Sequence, residues 1–191
     1  MTSNKYFYST VLHSNKIFAI GGRLNNASID TVEYFEPEKM KWIDGPKLLQ
    51  KFETHDSVNI DEVIYAAGDF ESNKFLRFDP REGKWIFLAD IPNKTFHTSM
   101  SVFEQTITCT GGCDTQTLCQ LYDLKNGKWD QLPNLPIPFW GARSIENKAS
   151  IVIIGGYNTD KMYSYNKNNQ TWSALYIRLP EANCHSSKVW I

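Results

Sequence analysis

The feature that most constrains this chain is a tryptophan that recurs at an almost constant interval. Four tryptophans are separated by 43, 44 and 43 residues: Trp42, Trp85, Trp129 and Trp172. An aromatic residue lies seven positions before each of them: Phe35, Phe78, Tyr122 and Tyr165. Pairs of small residues recur in the same order: Gly21-Gly22, Ala67-Gly68, Gly111-Gly112 and Gly155-Gly156. Three markers that share one period and one order indicate an internal structural repeat.

The residues within each repeat are typical of β-structure. A short apolar run rich in β-formers ends at each small-residue pair, at residues 17–20, 63–66, 107–110 and 151–154. Strands that are buried on both faces have this pattern. Turn formers such as Asp79-Pro80 and Asn126-Gly127 predict a tight hairpin between each aromatic residue and its tryptophan. Glycine after the run allows a positive φ beside bulky rings, and Ala67 suggests that the first position of the pair needs only a small side chain.

Each repeat therefore predicts four strands, and a unit of this size buries both of its faces only by packing against similar units. Radial packing around an axis, as in a propeller, satisfies this requirement. We predict an all-β domain over residues 1–191 with four four-stranded blades, at about residues 5–46, 52–91, 96–135 and 141–180.

The C-terminal residues repeat the start of a unit, so they predict one extra strand at residues 185–191. Three explanations for this surplus strand remain open. The chain is a fragment or truncated product with an incomplete ring, it pairs with another chain, or the ring closes by using the last strand in an unusual way. Open strand edges would favour self-association.

The repeat resembles that of the kelch family. The resemblance depends on the double glycine, the tryptophan and an aromatic residue followed by an acidic or amide residue: Phe35-Glu36, Phe78-Asp79, Tyr122-Asp123 and Tyr165-Asn166. It covers nearly the whole chain, with Ala67 and Asn166 as departures. It implies a kelch-type β-propeller that binds a protein or peptide partner. The roles it implies are substrate recognition for a cullin-type ubiquitin ligase or a cytoskeletal scaffold.

Candidate binding residues lie in the loops that follow the second and fourth strands of each unit, because loops on a rigid scaffold commonly carry binding. The first unit has the longest interval from glycine to aromatic, 13 residues against 10, 10 and 9. The predicted partner-binding residues are Arg23, Asn25, Asn26, Asp69, Phe70, Phe139, Trp140, Tyr157 and Asn158.

Two of these residues have competing interpretations. Arg23 follows a glycine pair, as do arginines in peptide-binding kelch proteins, where a guanidinium can hold a carboxylate through two hydrogen bonds. The alternative is a solvated loop arginine. Trp140 lies outside the phase of the repeated tryptophans, so it is either an interface anchor or a packing contact with a neighbouring blade.

Composition and motifs narrow the function further. The 20 basic and 21 acidic side chains give a net charge of -1, too weak a field to attract nucleic acid or anionic lipid. No apolar run has the length of a membrane span, and the first residues lack the apolar core of a signal peptide, so we expect a cytoplasmic protein.

Motifs for a serine nucleophile, a zinc protease or a phosphate loop are absent from the sequence. We therefore expect no catalysis, no cofactor and no metal. His97 and His185 lie two repeats apart and are expected to be ordinary hydrogen-bonded repeat positions. The alternative functions are a kelch-fold enzyme, such as a sugar epimerase or an oxidase, and a truncated, nonfunctional propeller fragment.

Overall fold

The computed structural model describes residues 1–146 and 149–185. This part of the chain contains eighteen strands and one 3-10 turn at Pro37–Lys39. The strands form four four-stranded antiparallel sheets and one two-stranded hairpin, which confirms the predicted fold class. The predicted extra strand lies outside the described residues, apart from His185, and the blade bounds predicted from the repeat stay predictions. The chain divides into two compact units, Met1–Asp90 and Ile91–Ile191.

The unit Met1–Asp90 contains the first two sheets. The first sheet has its strands in the order β1 (Ser9–His13), β2 (Lys16–Ile20), β5 (Val32–Glu36) and β6 (Lys41–Asp44). A short hairpin of β3 (Arg23–Leu24) and β4 (Ala27–Ser28) lies between β2 and β5 in the chain. The second sheet consists of β7 (Asp56–Ile60), β8 (Val63–Ala67), β9 (Phe75–Asp79) and β10 (Lys84–Phe87).

The unit Ile91–Ile191 contains the other two sheets. The third sheet consists of β11 (Ser99–Phe103), β12 (Thr106–Thr110), β13 (Cys119–Asp123) and β14 (Lys128–Leu132). The fourth sheet consists of β15 (Arg143–Glu146), β16 (Ser150–Ile154), β17 (Met162–Asn166) and β18 (Thr171–Ala174). In all four sheets, strands that are adjacent in the sheet are also consecutive in the chain, except that the β3–β4 hairpin is inserted between β2 and β5. Each repeat is therefore held together by local antiparallel contacts.

Each repeated tryptophan lies directly opposite its aromatic partner on the adjacent strand. The ring centroids are 5.1 to 5.5 Å apart in the four pairs, Phe35–Trp42, Phe78–Trp85, Tyr122–Trp129 and Tyr165–Trp172. The Nε1 of Trp85 donates a hydrogen bond to the Pro46 carbonyl at 3.0 Å, and that of Trp172 donates to the Pro133 carbonyl at 2.8 Å. Both prolines follow the last strand of the preceding sheet, so these indoles join successive sheets within each unit.

Apolar side chains fill the space between the first two sheets. One cluster combines residues of both sheets and the loop between them: Phe18, Ile20, Val32, Leu48, Phe52, Ile64, Ala66, Leu76, Phe78 and Trp85. In the unit Ile91–Ile191 a smaller cluster contains Leu135, Phe139, Ala142 and Ile153. Burial of these faces is the main source of stability, at about 25 cal/mol per Å² of apolar surface.

The backbone at the small-residue pairs is bent by a positive φ, with a close approach to the next loop. Gly21 has φ +57 and Gly111 has φ +65, and a Cβ on either would lie 2.3 or 2.4 Å from the carbonyl oxygen of Phe52 or Phe139. Ala67 instead remains in β8, paired with Phe75 and outside the positive-φ region. The prediction that the first position needs only a small side chain is therefore wrong for the glycine repeats, where both conformation and space require glycine.

Candidate partner-binding loops

The long loop of the first repeat folds into the β3–β4 hairpin. Its two turn residues, Asn25 and Asn26, have φ of 49° and 61°, which is the left-handed pair that a two-residue type I′ turn requires. Both are exposed, and Tyr6 donates its hydroxyl hydrogen to the Asn26 side-chain oxygen at 2.7 Å. The predicted contact residues Asn25 and Asn26 therefore lie at the tip of an ordered hairpin.

Arg23 is held at the base of this hairpin by an internal ion pair. Its Nε lies 3.1 Å from Oε2 of Glu53, and a terminal nitrogen donates to the Asn26 carbonyl at 2.7 Å. The Glu53 side chain is buried and also accepts a hydrogen bond from the Ser28 hydroxyl at 2.9 Å. Arg23 is therefore not a solvated loop arginine, and a partner's carboxylate would compete with Glu53 for its guanidinium.

Asp69 anchors the loop after β8 from inside. Its buried carboxylate accepts hydrogen bonds from the Glu53 backbone at 2.9 Å, the Ser72 hydroxyl at 2.9 Å and the Glu71 backbone at 3.2 Å. Burial raises the pKa of Asp69 by more than these hydrogen bonds lower it. The Asp69 carboxylate is thus withdrawn from the surface, whereas the neighbouring Phe70 ring remains about half exposed.

In the unit Ile91–Ile191, two of the predicted aromatic residues stack on each other. The Trp140 and Tyr157 rings lie 4.4 Å apart at an interplanar angle of 23°, and the Tyr157 amide donates to the Trp140 carbonyl at 3.0 Å. Tyr157 and Asn158 are exposed and Trp140 is partly so. The loops before β15 and after β16 thus present one aromatic platform.

Phe139 does not belong to this platform. It is buried in the core cluster of its unit, where its ring meets Tyr163 edge-on at 5.8 Å. Its predicted role in partner binding is therefore corrected to a packing role.

Two histidines adjoin Trp140 and were missing from the predicted contact residues. Nε2 of His185 lies 3.0 Å from Nδ1 of His97, and the Trp140 ring lies 5.8 Å from His97 and 6.0 Å from His185. Burial, followed by the charges of His185 and Arg143, lowers the pKa of His97 to about 4. Burial and Arg143 also lower the pKa of His185. At neutral pH one imidazole therefore donates to the other.

The repeat brings these histidines together through the backbone. His97, Gly141 and His185 are equivalent positions with φ of 53°, 63° and 57°. The Gly141 amide donates to the His97 carbonyl at 2.9 Å, and the His185 amide donates to the Gly141 carbonyl at 2.7 Å. A Cβ at Gly141 would lie 3.1 Å from Nε2 of His185. Glycine at the middle position leaves room for the two outer imidazoles to meet, and their spacing of two repeats was the signal in the sequence.

Residues 1–146 and 149–185 lack a cluster of side chains that could hold a metal ion. No group of three or more histidine, cysteine, aspartate or glutamate side chains there is placed to hold a metal ion. In the same residues, no helix has the length and apolar character needed to cross a membrane.

Comparisons with known proteins agree with this architecture. A family model described as Kelch motif matches residues 5–49. Kelch-like protein 41b of Danio rerio is 25% identical over 198 residues, which cover 92% of this chain and 33% of the relative. Kelch-like protein 23 of Homo sapiens is 21% identical over 168 residues, which cover 84% of this chain and 30% of the relative. The chain spans about a third of the length of these relatives.

A solved structure, that of YjhT, superimposes with a TM-score of 0.82 at 13% identity, covering 95% of this chain and 73% of the other. This likeness concerns the fold alone. With the four sheets, it defines an all-β protein of the propeller class. The repeated glycines and tryptophans, the Kelch motif match at residues 5–49 and the kelch-like relatives together support a kelch repeat protein.

Proposed function

We propose that the chain is a protein-interaction module that binds a protein or peptide partner through its loops. The observation that carries this proposal is the aromatic patch of Trp140, Tyr157, His97 and His185 in the unit Ile91–Ile191. Aromatic side chains that are fixed by stacking lose little entropy on binding, and tryptophan and tyrosine are enriched among the residues that dominate interface energies.

The hairpin in the unit Met1–Asp90 supplies a second, more polar contact surface. Asn25 and Asn26 are exposed at its tip, while Arg23 at its base is already paired with Glu53. Phe70 is exposed in a separate loop of the same unit, after β8. Binding a carboxylate at Arg23 would require breaking an ion pair with a buried partner, so we assign Arg23 a positioning role in the hairpin. The aromatic patch then carries most of the affinity.

The resemblance to kelch proteins supports two wider roles in the cytoplasm, substrate recognition for a cullin-type ubiquitin ligase or a cytoskeletal scaffold. Either role requires only a binding propeller, and the match covers about a third of the relatives' length. The net charge of -1 supports a protein partner over nucleic acid.

Affinity capture from a native extract tests the aromatic patch. Trp140→Ala and Tyr157→Ala are expected to lose the captured partners, because each removes one face of the stacked platform. Phe87→Ala is the matched control, since Phe87 is an exposed aromatic residue on β10, outside the loops. Arg23→Ala is expected to retain the partners.

Two results would contradict the proposal. Equal capture by the wild type and Trp140→Ala would place the binding surface elsewhere. Stoichiometric copper in the purified protein would favour the alternative of a kelch-fold oxidase over a module that only binds.

A further inference from the structure

The two sheets of the unit Met1–Asp90 show how one sheet covers the next. A row of side chains crosses the second sheet through Asn59, Ile64, Phe78 and Trp85, which lie opposite one another in register. We call the side of a sheet that carries this row its front face. Ile64, Phe78 and Trp85 are buried against the other side of the first sheet, its back face, which carries Phe18, Ile20 and Val32.

The front face of the first sheet carries the equivalent row of side chains, but this row is more exposed to solvent. Leu12, Ile17, Phe35 and Trp42 lie opposite one another across β1, β2, β5 and β6. Ile17 is 42% exposed and Leu12 is 62% exposed, whereas Ile64, the counterpart of Ile17, is fully buried. Phe35 and Trp42 are only partly buried. This apolar row has the side chains of a packed face without the cover that the second sheet receives.

The fourth sheet offers the complementary surface. Its back face carries Val152, Ile154 and Met162, the counterparts of Phe18, Ile20 and Val32, and all three are only partly buried. The counterparts in the first sheet are buried by the second sheet. The back face of the fourth sheet is therefore a partly exposed apolar surface, equivalent to the surface of the first sheet on which the second sheet packs.

A backbone acceptor at the fourth sheet completes this match. The amides of Leu48, Leu135 and Leu179 make equivalent hydrogen bonds, to the carbonyls of Asp30, Thr117 and Asp160. Two residues before these leucines lie Pro46, Pro133 and Ile177. The carbonyls of Pro46 and Pro133 accept the indole hydrogens of Trp85 and Trp172, so the Ile177 carbonyl is the equivalent acceptor. Ile177 is 72% exposed.

We propose that two copies of this chain associate head to tail, with the front face of the first sheet in one copy packed on the back face of the fourth sheet in the other. Trp42 of one copy then donates to the Ile177 carbonyl of the other, as Trp85 donates to Pro46. A second copy is the occupant because this chain carries both halves of a contact that it already makes within its own repeats. The contact joins two different surfaces, so it is heterologous.

Light scattering coupled to size-exclusion chromatography tests this association across a wide range of protein concentration. The wild type is expected to give at least twice the mass of one chain at high concentration. Leu12→Glu on the front face and Met162→Glu on the back face are each expected to reduce the mass of the association product. Leu49→Glu is the matched control, because Leu49 is an exposed leucine outside both faces, and it is expected to associate as the wild type does.

Mixing the two variants distinguishes head-to-tail contact from other arrangements. A mixture of Leu12→Glu and Met162→Glu retains one intact front face and one intact back face, so it is expected to form a mixed pair. A wild type that remains monomeric at high concentration would overturn the proposal. Loss of association in Leu12→Glu but not in Met162→Glu would indicate contact between two front faces and would also overturn it. Circular dichroism melts of each variant show whether a lost mass reflects lost folding.

Discussion

One pair of equivalent positions has a different chemistry in three of the repeats, which makes the buried Lys5–Glu33 pair a quantitative test. The first position lies four residues before the first strand of a sheet, and the second position is the second residue of its third strand. The pairs are Lys5 with Glu33, Phe52 with Leu76, and Phe139 with Tyr163. The first pair is ionic, the second belongs to the apolar core cluster and the third is aromatic.

The ionic pair is almost fully removed from water. Nζ of Lys5 lies 3.2 Å from Oε2 of Glu33, and the two side chains are 0% and 3% exposed. Burial lowers the pKa of Lys5 by more than Glu33 raises it. Burial alone would raise the pKa of Glu33, but hydrogen bonds from Thr2 and Lys5 together outweigh it, so that pKa is lowered. Each group therefore stabilises the charged form of the other against the cost of burial.

Removing one member of a buried ion pair costs about 3–5 kcal/mol, whereas replacing both members with well-packed apolar residues is neutral or stabilises by about 1–4 kcal/mol. We expect Glu33→Leu to fall in the first range because Lys5 then loses its buried carboxylate partner and retains a neutral acceptor, the Ala19 carbonyl at 3.2 Å. Lys5→Phe is expected to be milder, because Thr2 still donates to Glu33. The double variant copies Phe52 and Leu76 and is expected to be at least as stable as the wild type.

Native-state hydrogen exchange of the β1 and β5 amides measures the free energy of opening the first sheet, and urea unfolding of the whole chain provides a second value. The double-mutant cycle isolates the interaction energy of the pair. A double variant that loses as much stability as the sum of the single variants would refute the reasoning. It would mean that the two positions do not share one buried contact.

Two further predictions concern the bends and the hairpins. Gly111→Ala should lower the free energy of unfolding by about 1–2 kcal/mol through its left-handed φ, and by a further ~1–3 kcal/mol through overpacking against the Phe139 carbonyl. Gly83 has φ +68, and a Cβ there would have no atom within 4 Å. Gly83→Ala should therefore show only the first loss in thermal melts. The hydrogen bonds from Arg81 lower the pKa of Asp79 from 3.8 to about 2, so the stability it contributes is present above pH 3.8 and is lost as the pH falls towards 2. The urea midpoint of Asp79→Asn should therefore fall less than that of the wild type over this range, and parallel curves would contradict the assignment.

The local antiparallel sheets could be predicted from the sequence because their determinants repeat along it. An aromatic residue seven positions before a tryptophan places the two rings opposite each other on adjacent strands, with turn formers between them. This arrangement depends only on residues close in the chain, so spacing was sufficient. Asn25-Asn26 likewise specifies its own turn, through the tolerance of asparagine for a positive φ.

The exposure of individual loop side chains was decided by tertiary contacts. Phe139 and Trp140 are adjacent aromatic residues, yet one is buried against Tyr163 and the other stacks on Tyr157. Arg23 is paired with the buried carboxylate of Glu53, thirty positions away in the chain. The sequence around Arg23 does not predict this ion pair. Whether a polar side chain faces solvent or an internal partner depends on which distant segment the fold brings beside it.

Periodicity by itself determined the strands and the hairpins of this protein, since each depends on contacts within one repeat. Only the tertiary structure decided which loop aromatics form a platform, that Asp69 and Phe139 are internal, and that His97 and His185 meet across Gly141. The physical reason is that, within each unit, successive repeats are joined by backbone hydrogen bonds and close approaches between their loops. The side chains brought together there lie one or two repeats apart in the chain.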